Sequence, residues 1–156
     1  VIVQIVTYSS SAAVVRAARP AGFGGQFYNV SFVGAQALSE TLGKDAEGVV
    51  VTQVVPSPFQ TSRQITRDFL AAIQKGGGKL TPNYSSMEGY LAARVFADAL
   101  RQASASGKPT RDGLVAALDA MHGQQVAGFP LVFKPQSGKP RFVELSMLTG
   151  DGKVRV

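Results

Sequence analysis

Cysteine is absent from this chain of 156 residues, and tryptophan is absent as well. Without cysteine the chain can form neither disulfides nor thiolate metal sites. Its only histidine, His122, has no cysteine or cluster of carboxylates to share a metal with, and one imidazole cannot complete a transition-metal site. We therefore expect no metal site and no cofactor. We expect His122 at a helix end, where a partial positive charge is favoured.

Long apolar runs are also absent, since none approaches the ~20 residues that span a bilayer. The apolar start at residues 1–6 lacks the basic flank and cleavage site of a signal peptide. Acidic residues are few: 10 stand against 16 basic residues, which gives a net charge of +6. The basic residues are scattered, with Arg63 and Arg67 as the one obvious same-face pair, and no aromatic rings alternate with them as stacking platforms. We therefore expect no nucleic-acid partner.

The sequence also lacks recognisable catalytic motifs. No Gly-x-Ser-x-Gly nucleophile elbow occurs, and the acidic side chains are dispersed, with no pair placed for acid–base catalysis. The glycine-rich stretches at residues 22–25 and 76–78 follow predicted helices, whereas phosphate-binding loops follow a strand and open a helix. We interpret them as helix stops, and we expect a binding protein, not an enzyme.

The first 55 residues alternate between strand and helix patterns. Three apolar segments are typical of strands covered on both faces: residues 1–6, 26–32 and 48–55. Two segments of helical periodicity lie between them: residues 10–19 and 34–42. Ser9 or Ser10 is the predicted cap of the first helix, and Gly43 ends the second. This order predicts a doubly wound α/β fold with a parallel sheet and right-handed crossovers.

The pattern changes after Pro58. Three helix patterns follow one another: residues 61–74, 85–103 and 110–121. Thr61 is the predicted cap of the first, with Gln64 in the capping-box position. Periodicity predicts that apolar side chains of these helices point inward, among them Ile65, Phe69, Leu91, Val95, Phe96, Ala99, Leu100, Leu114, Val115 and Leu118. No strand lies between the helices, so this segment supplies no sheet for those faces to cover.

The end of the chain has strand patterns. They fall at residues 128–134, 142–149 and 153–156, with turns at 135–140 and 150–152. Val143, Leu145 and Met147 are predicted to share one face of the second of these strands.

A recognisable signature opens the longest predicted helix, with the sequence PNYSSMEGYLAAR at residues 82–94. Ser85 and Glu88 have the spacing of a capping box, which predicts that the helix starts there. Three further blocks accompany it: AEGVVVTQVVP at 46–56, PTRDGL at 109–114 and RFVEL at 141–145. In this order and spacing, the blocks resemble the C-terminal half of the type I periplasmic binding proteins, the leucine/isoleucine/valine-binding relatives that feed ABC transporters.

The resemblance implies part of a two-lobed α/β fold whose N-terminal portion is missing. It implies a second-lobe segment at 1–55, a helical segment packing on the first lobe at 56–126, and a hinge return with a C-terminal hairpin at 127–156. The missing lobe, or a second copy of the chain, would then cover the helices. Hinge bending near residues 54–58 and 125–130 would close the two lobes on a ligand.

The function implied by the resemblance is that of a periplasmic solute-binding protein, which delivers a small molecule to the membrane permease of an ABC importer. The alternative is a ligand-sensing regulatory or receptor domain of the same fold. A signal peptide and neighbouring permease genes would favour transport, and an adjacent signalling domain would favour sensing.

Candidate ligand residues follow the first two predicted strands: Tyr8, Ser9, Ser31 and Phe32. Ligands of open parallel sheets sit beyond the carboxyl ends of the strands. The resemblance implies that Tyr8 covers the ligand and that Ser31 makes a polar contact. Amino-acid binders of the family place an acidic residue at the position of Ser31, and no acid occurs between residues 26 and 36. An unpaired buried ammonium is costly, so we expect a neutral ligand or a carboxylate without an ammonium, with an aromatic group as one option.

Overall fold

A computed structural model describes residues 1–105, 107, 110–133 and 142–156. Its α-helices in these residues are α1 (Tyr8–Ala18), α2 (Ala35–Leu42), α3 (Gln64–Lys75), α4 (Tyr84–Ala105) and α5 (Arg111–Ala120). Its strands there are β1 (Ile2–Gln4), β2 (Phe27–Asn29), β3 (Val50–Gln53), β4 (Gln125–Val126), β5 (Phe129–Pro130), β6 (Glu144–Leu148) and β7 (Val154–Arg155). Two compact units result. Unit 1 comprises Val1–Ser57, Asn83–Ser85 and Val143–Val156, and unit 2 comprises Pro58–Pro82 and Ser86–Phe142.

Unit 1 is built on a sheet with the strand order β1-β2-β3-β6-β7. The first three strands are parallel, and β6 and β7 continue the sheet in antiparallel fashion. Because β1, β2 and β3 are consecutive both in the chain and in the sheet, right-handed crossovers place α1 and α2 on the same face, where the two helices pack on each other. The α/β class with parallel strands that the sequence predicts is confirmed.

The core of unit 1 lies between this face of the sheet and the two helices. Its fully buried apolar side chains include Val15, Phe27, Leu38, Val49, Val51 and Leu148. Burial alternates along β6, where Ser146 and Leu148 are buried and Leu145 and Met147 are exposed. Val143, which precedes the strand, is exposed as well. The apolar side chains predicted to share a face therefore lie on the side of the sheet away from the core.

Glycine bounds α2 at both ends. Gly34, its N-cap, has φ 75°, and Gly43, its C-cap, has φ 57°. Both values fall in the left-handed region that favours glycine. The stop predicted at Gly43 is confirmed, and the chain reaches it after two turns of helix.

Two of the helix caps predicted after Pro58 are wrong. The helix expected to start after Thr61 starts at Gln64, because Arg63 is its N-cap, with an extended backbone and no side-chain capping bond. The longest helix begins at Tyr84, so Ser85 lies inside its first turn and cannot act as the cap. Both capping boxes have the right spacing, but the helices start at other residues.

Unit 2 holds α3, α4 from Ser86 onward and α5 in succession, followed by the hairpin of β4 and β5. Thr110 is the N-cap of α5, and its Oγ1 accepts the backbone N–H of Gly113 at 3.1 Å, a cap that the sequence analysis did not predict. The rings of Phe69 and Tyr90 are tilted on each other with centroids 5.5 Å apart. The buried apolar side chains of this unit include Ile65, Phe69, Met87, Leu91, Ala99 and Met121.

Some predicted inward residues of unit 2 are exposed. Phe96 is 51% exposed and Val115 is 52% exposed, and Leu100 is exposed as well, so the expectation that they are buried is wrong. The periodicity that places them on one face is a local property of the helix, whereas their burial needs a neighbouring element. The described part of unit 2 provides no such element at these positions.

The C-terminal strand pattern is realised in part. Only Phe129–Pro130 forms a strand within the described part of the segment predicted at 128–134, and it pairs with Gln125–Val126. The predicted turn at 135–140 lies outside the described residues. None of the helices in the described residues is both long enough and apolar enough to cross a membrane.

Candidate functional site

The three parallel strands of unit 1 end at one edge of the sheet. Gln4 and Asn29, the last residues of β1 and β2, are partners in the strand register, and Gln53 ends β3. The segments that follow β1 and β2 therefore leave the sheet side by side. They contain the four predicted ligand residues, at the edge where open parallel sheets bind their ligands.

Tyr8 and Ser9 are the first two residues of α1. Thr7 is the N-cap, so the predicted cap at Ser9 or Ser10 is wrong: β1 ends at Gln4, and the helix begins sooner than expected. Thr7 makes no side-chain capping bond to the helix, and its Oγ1 lies 3.3 Å from Ser9 Oγ. The first N–H groups of α1 consequently stay available to another acceptor. The side chains of Tyr8 and Ser9 are exposed, with Tyr8 at 45%.

Ser31 and Phe32 lie in a single 3-10 turn, Ser31–Val33, and not in the strand predicted to reach residue 32. Strand pairing ends at Asn29, and the N–H of Val33 donates to the carbonyl of Val30 at 3.1 Å. Val33 is buried and anchors the turn, whereas Phe32 is 60% exposed and Ser31 is half-buried. The turn therefore presents an aromatic ring and a hydroxyl at the edge of the sheet.

The two segments offer a ligand aromatic rings and uncharged polar groups. Two exposed rings, Tyr8 and Phe32, can cover an apolar or aromatic group. The hydroxyls of Ser9 and Ser31 and the first N–H groups of α1 can donate hydrogen bonds to an anion. No carboxylate occurs in the turn to pair with an ammonium, as the sequence already shows.

Beneath the two segments is a buried polar cluster that the sequence analysis missed. Ser11 Oγ contacts Gln4 Oε1 and lies 2.8 Å from Asn29 Oδ1, and all three side chains are buried. The signal available in the sequence was an amide side chain at the end of an otherwise apolar strand, which occurs at Gln4, Asn29 and Gln53. Buried polar side chains of this kind need a hydrogen-bonding partner.

The described residues contain no group of three or more histidine, aspartate or glutamate side chains that could hold a metal ion. His122 follows the end of α5, and its Nδ1 accepts the backbone N–H of Phe133 at 3.2 Å. Its described contact is therefore structural and joins the two sides of the β4–β5 hairpin.

A concavity of about 460 Å³ lies in unit 2 between α3 and α4. Arg94 lies 3.9 Å from Asp68 and 3.3 Å from Asp98, and a hydrogen bond to the Tyr90 hydroxyl is the main cause that raises the pKa of Arg94. The rest of the lining includes the small side chains Ala71, Ala72 and Ala93, together with Lys75. The guanidinium and the carboxylates therefore pair with one another in this groove.

Comparison with known proteins places the chain in a family. The family model described as "Periplasmic binding protein" matches residues 1–142. A crystal structure described as a possible leucine/isoleucine/valine-binding protein from Rhodopirellula baltica SH 1 is similar, with 31% identity and a TM-score of 0.84, over 98% of this chain and 42% of that one. Among curated proteins, none matches the chain.

Two further structures share the fold. An extracellular ligand-binding receptor from Verminephrobacter eiseniae is 26% identical, with a TM-score of 0.78, over 99% of this chain and 44% of its own. The leucine-binding protein from Thermotoga maritima is 23% identical, with a TM-score of 0.77, over 98% of this chain and 42% of its own. The chain thus spans less than half the length of these structures. Because the family model matches residues 1–142, the chain belongs to the periplasmic binding protein family.

Proposed function

We propose that this chain is part of an exported solute-binding protein, which holds a small organic ligand and delivers it to the permease of an ABC importer. Membership of the periplasmic binding protein family supports this proposal. The observation that carries it is the pair of exposed aromatic rings, Tyr8 and Phe32, beyond the carboxyl ends of adjacent parallel strands. The mechanism is binding without bond-making, so neither segment needs a catalytic group.

The proposed ligand is a carboxylate without an ammonium, or a neutral molecule. The structure from Thermotoga maritima is described as a leucine-binding protein, and leucine carries an ammonium at neutral pH. In this chain Ser31 offers a hydroxyl where an ammonium would need a carboxylate. Burying an unpaired ammonium is costly, whereas hydroxyls and helix N–H groups favour an anion. Tyr8 and Phe32 favour an aromatic or branched aliphatic body on that anion.

A two-lobed arrangement is part of the proposal. Three apolar side chains of unit 2, Phe96, Leu100 and Val115, are exposed within the described residues. The similar structures are more than twice as long as this chain, which leaves room for a first lobe that covers them. Closure would occur by bending near residues 54–58 and 125–130, and the ligand would favour the closed state by binding it more tightly. A second copy of the chain is the alternative cover.

Calorimetric titration of the complete gene product tests the proposed ligand. The panel contains leucine, valine, phenylacetate, benzoate and the neutral amide phenylacetamide. We expect phenylacetate or benzoate to bind more tightly than leucine, because only the amino acids bring an ammonium to Ser31. Tight binding of leucine would contradict the proposed ligand class, and binding that does not depend on Tyr8 would contradict the proposed site.

A ligand-sensing receptor domain is the second candidate. The structure from Verminephrobacter eiseniae, 26% identical, is described as an extracellular ligand-binding receptor. The same residues would bind the ligand in either case, so the binding experiment does not separate the two functions. The genes beside this one do: permease and ATPase genes favour transport, and a signalling domain in the same gene product favours sensing.

A further inference from the structure

Three buried side chains connect the two segments of the candidate site from below. Gln4 and Asn29 are register partners, so their side chains lie on the same face of the sheet. Ser11 comes from the first turn of α1, which packs on that face. All three residues are at least nine-tenths buried, and Ser11 is fully buried.

Ser11 Oγ is the shared partner of both amides. It contacts Gln4 Oε1, and it lies 2.8 Å from Asn29 Oδ1. A hydroxyl donates one proton and accepts hydrogen bonds through its lone pairs. Ser11 Oγ can therefore donate to the oxygen of one amide and accept from the NH₂ group of the other, when that amide turns its NH₂ group toward Oγ. The amide nitrogens of Gln4 and Asn29 have no other partner in the described part of the chain. If the Ser11 hydroxyl were removed, the buried amides of Gln4 and Asn29 would lose the one side-chain partner that the described residues give them.

The position of this cluster relates it to the ligand residues. Ser11 is three residues after Tyr8 and lies in the same first turn of α1. Asn29 is two residues before Ser31 and directly precedes the segment that turns back at Val33. A single hydroxyl therefore joins the start of α1 to the end of β2. Apolar packing alone is not directional, whereas a buried hydrogen bond fixes both distance and orientation.

We propose that Ser11 is a positioning residue for the ligand site: through Gln4 and Asn29 it sets where Tyr8 and Ser9 stand relative to Ser31 and Phe32. That these four residues bind a ligand rests on the proposed function, whereas their positioning by Ser11 does not. Ser11 acts through the other two side chains and needs no contact with the ligand, because it is fully buried.

Hydrogen–deuterium exchange on the complete gene product tests the positioning. Ser11→Ala should raise exchange about tenfold in peptides covering residues 7–13 and 29–34, because a lost buried hydrogen bond changes a local opening equilibrium by about that factor. Exchange in residues 144–148 should stay unchanged. Ser39→Ala is the matched control, since Ser39 is equally buried on α2 and its Oγ has no partner in the described residues.

Ser39→Ala should leave exchange unchanged in both site peptides. A rise confined to residues 7–13 in Ser11→Ala would overturn the proposal, because the two segments would then move independently. An equal rise in all peptides would also overturn it, because the hydroxyl would then serve overall stability and not the site.

Phenylacetate binding gives an independent test of the consequence for the site. Ser11→Ala should weaken phenylacetate binding several-fold, and the loss should shrink in a Tyr8→Ala background, because Ser11 acts by placing Tyr8. Additive losses in the double variant would contradict the positioning role. Failure of phenylacetate to bind the unmutated protein would count against the proposed ligand class, while the exchange experiment would still decide the role of Ser11.

Discussion

Gln53 Nε2 donates a hydrogen bond of 2.7 Å to Ser146 Oγ, across 93 positions of sequence. Ser146 in turn donates to the carbonyl of Val51 at 3.1 Å. These bonds lock the late strand β6 beside β3, where it continues the parallel sheet in antiparallel fashion. The end of the chain thereby becomes part of the unit that carries the candidate ligand residues.

Removing the Ser146 hydroxyl should destabilise the protein. Ser146→Ala leaves the buried Gln53 amide without this acceptor, so we expect a loss of about 1–3 kcal/mol in the free energy of unfolding. Urea denaturation of the complete gene product measures it. Ser39→Ala is the control with equal burial and no described partner for its hydroxyl, and it should change the free energy much less. Equal losses in the two variants would show that the Gln53–Ser146 hydrogen bond adds nothing to the free energy of unfolding.

Thr110 and Thr61 provide a test of the observed and predicted helix caps. Thr110→Ala removes the acceptor of the Gly113 N–H and should cost about 1 kcal/mol in the free energy of unfolding. Thr61→Ala should cost much less, since α3 begins at Gln64 and Thr61 lies in an exposed turn before it. The same urea titrations compare the two variants. A larger loss for Thr61→Ala would contradict the observed start of α3.

The Tyr8 ring should contribute to ligand binding without supporting the fold. Tyr8→Ala removes an exposed ring at the edge of the sheet, and we expect binding of the tightest ligand in the calorimetric panel to weaken about tenfold or more. Val14→Ala is the control, because Val14 is also exposed on α1 and lies in a later turn. Unchanged affinity in Tyr8→Ala would remove Tyr8 from the site, and a lowered melting temperature would assign it to the fold instead.

Ser31→Glu should change the class of ligand that binds. A carboxylate at this position repels a carboxylate ligand and supplies the missing partner for an ammonium. We expect weaker phenylacetate binding and stronger leucine binding, measured by calorimetry on the same variant. Ser31→Gln is the control with similar size and no charge, and it should not improve leucine binding. Improvement by both variants would indicate that side-chain size, not charge, selects the ligand.

The exposed apolar side chains of unit 2 predict the behaviour of the 156 residues expressed alone. Phe96 and Val115 are each about half exposed, and burying such side chains is worth ~1.5–3 kcal/mol apiece. We expect this species to fold only with a partner, and light scattering should show association that increases with concentration. Phe96→Ser combined with Val115→Thr should reduce the association. A compact monomer with a cooperative melting transition would contradict the prediction.

The sequence by itself determined the features that depend on neighbouring residues. The apolar runs that became β1, β2 and β3 and the stop at Gly43 follow from local backbone and side-chain preferences, and the structure confirms them. The order of the blocks was enough to indicate the family. The segments holding Tyr8 and Ser31 were predictable because the ends of parallel strands meet at one edge of a sheet.

Only the tertiary structure decided the features that need a distant partner. Thr7 and Arg63 are the N-caps where the sequence predicted Ser9 or Ser10 and Thr61, and neither makes a side-chain capping bond that a local sequence pattern could indicate. Phe96 has the right periodicity for burial, yet burial needs a surface that the helix cannot supply for itself. The Gln4–Ser11–Asn29 cluster could not be derived from spacing, because its members meet only when β1 and β2 pair and α1 packs across them. Periodicity determines which residues share a face of a helix or strand, whereas the elements packed against that face determine what its side chains contact.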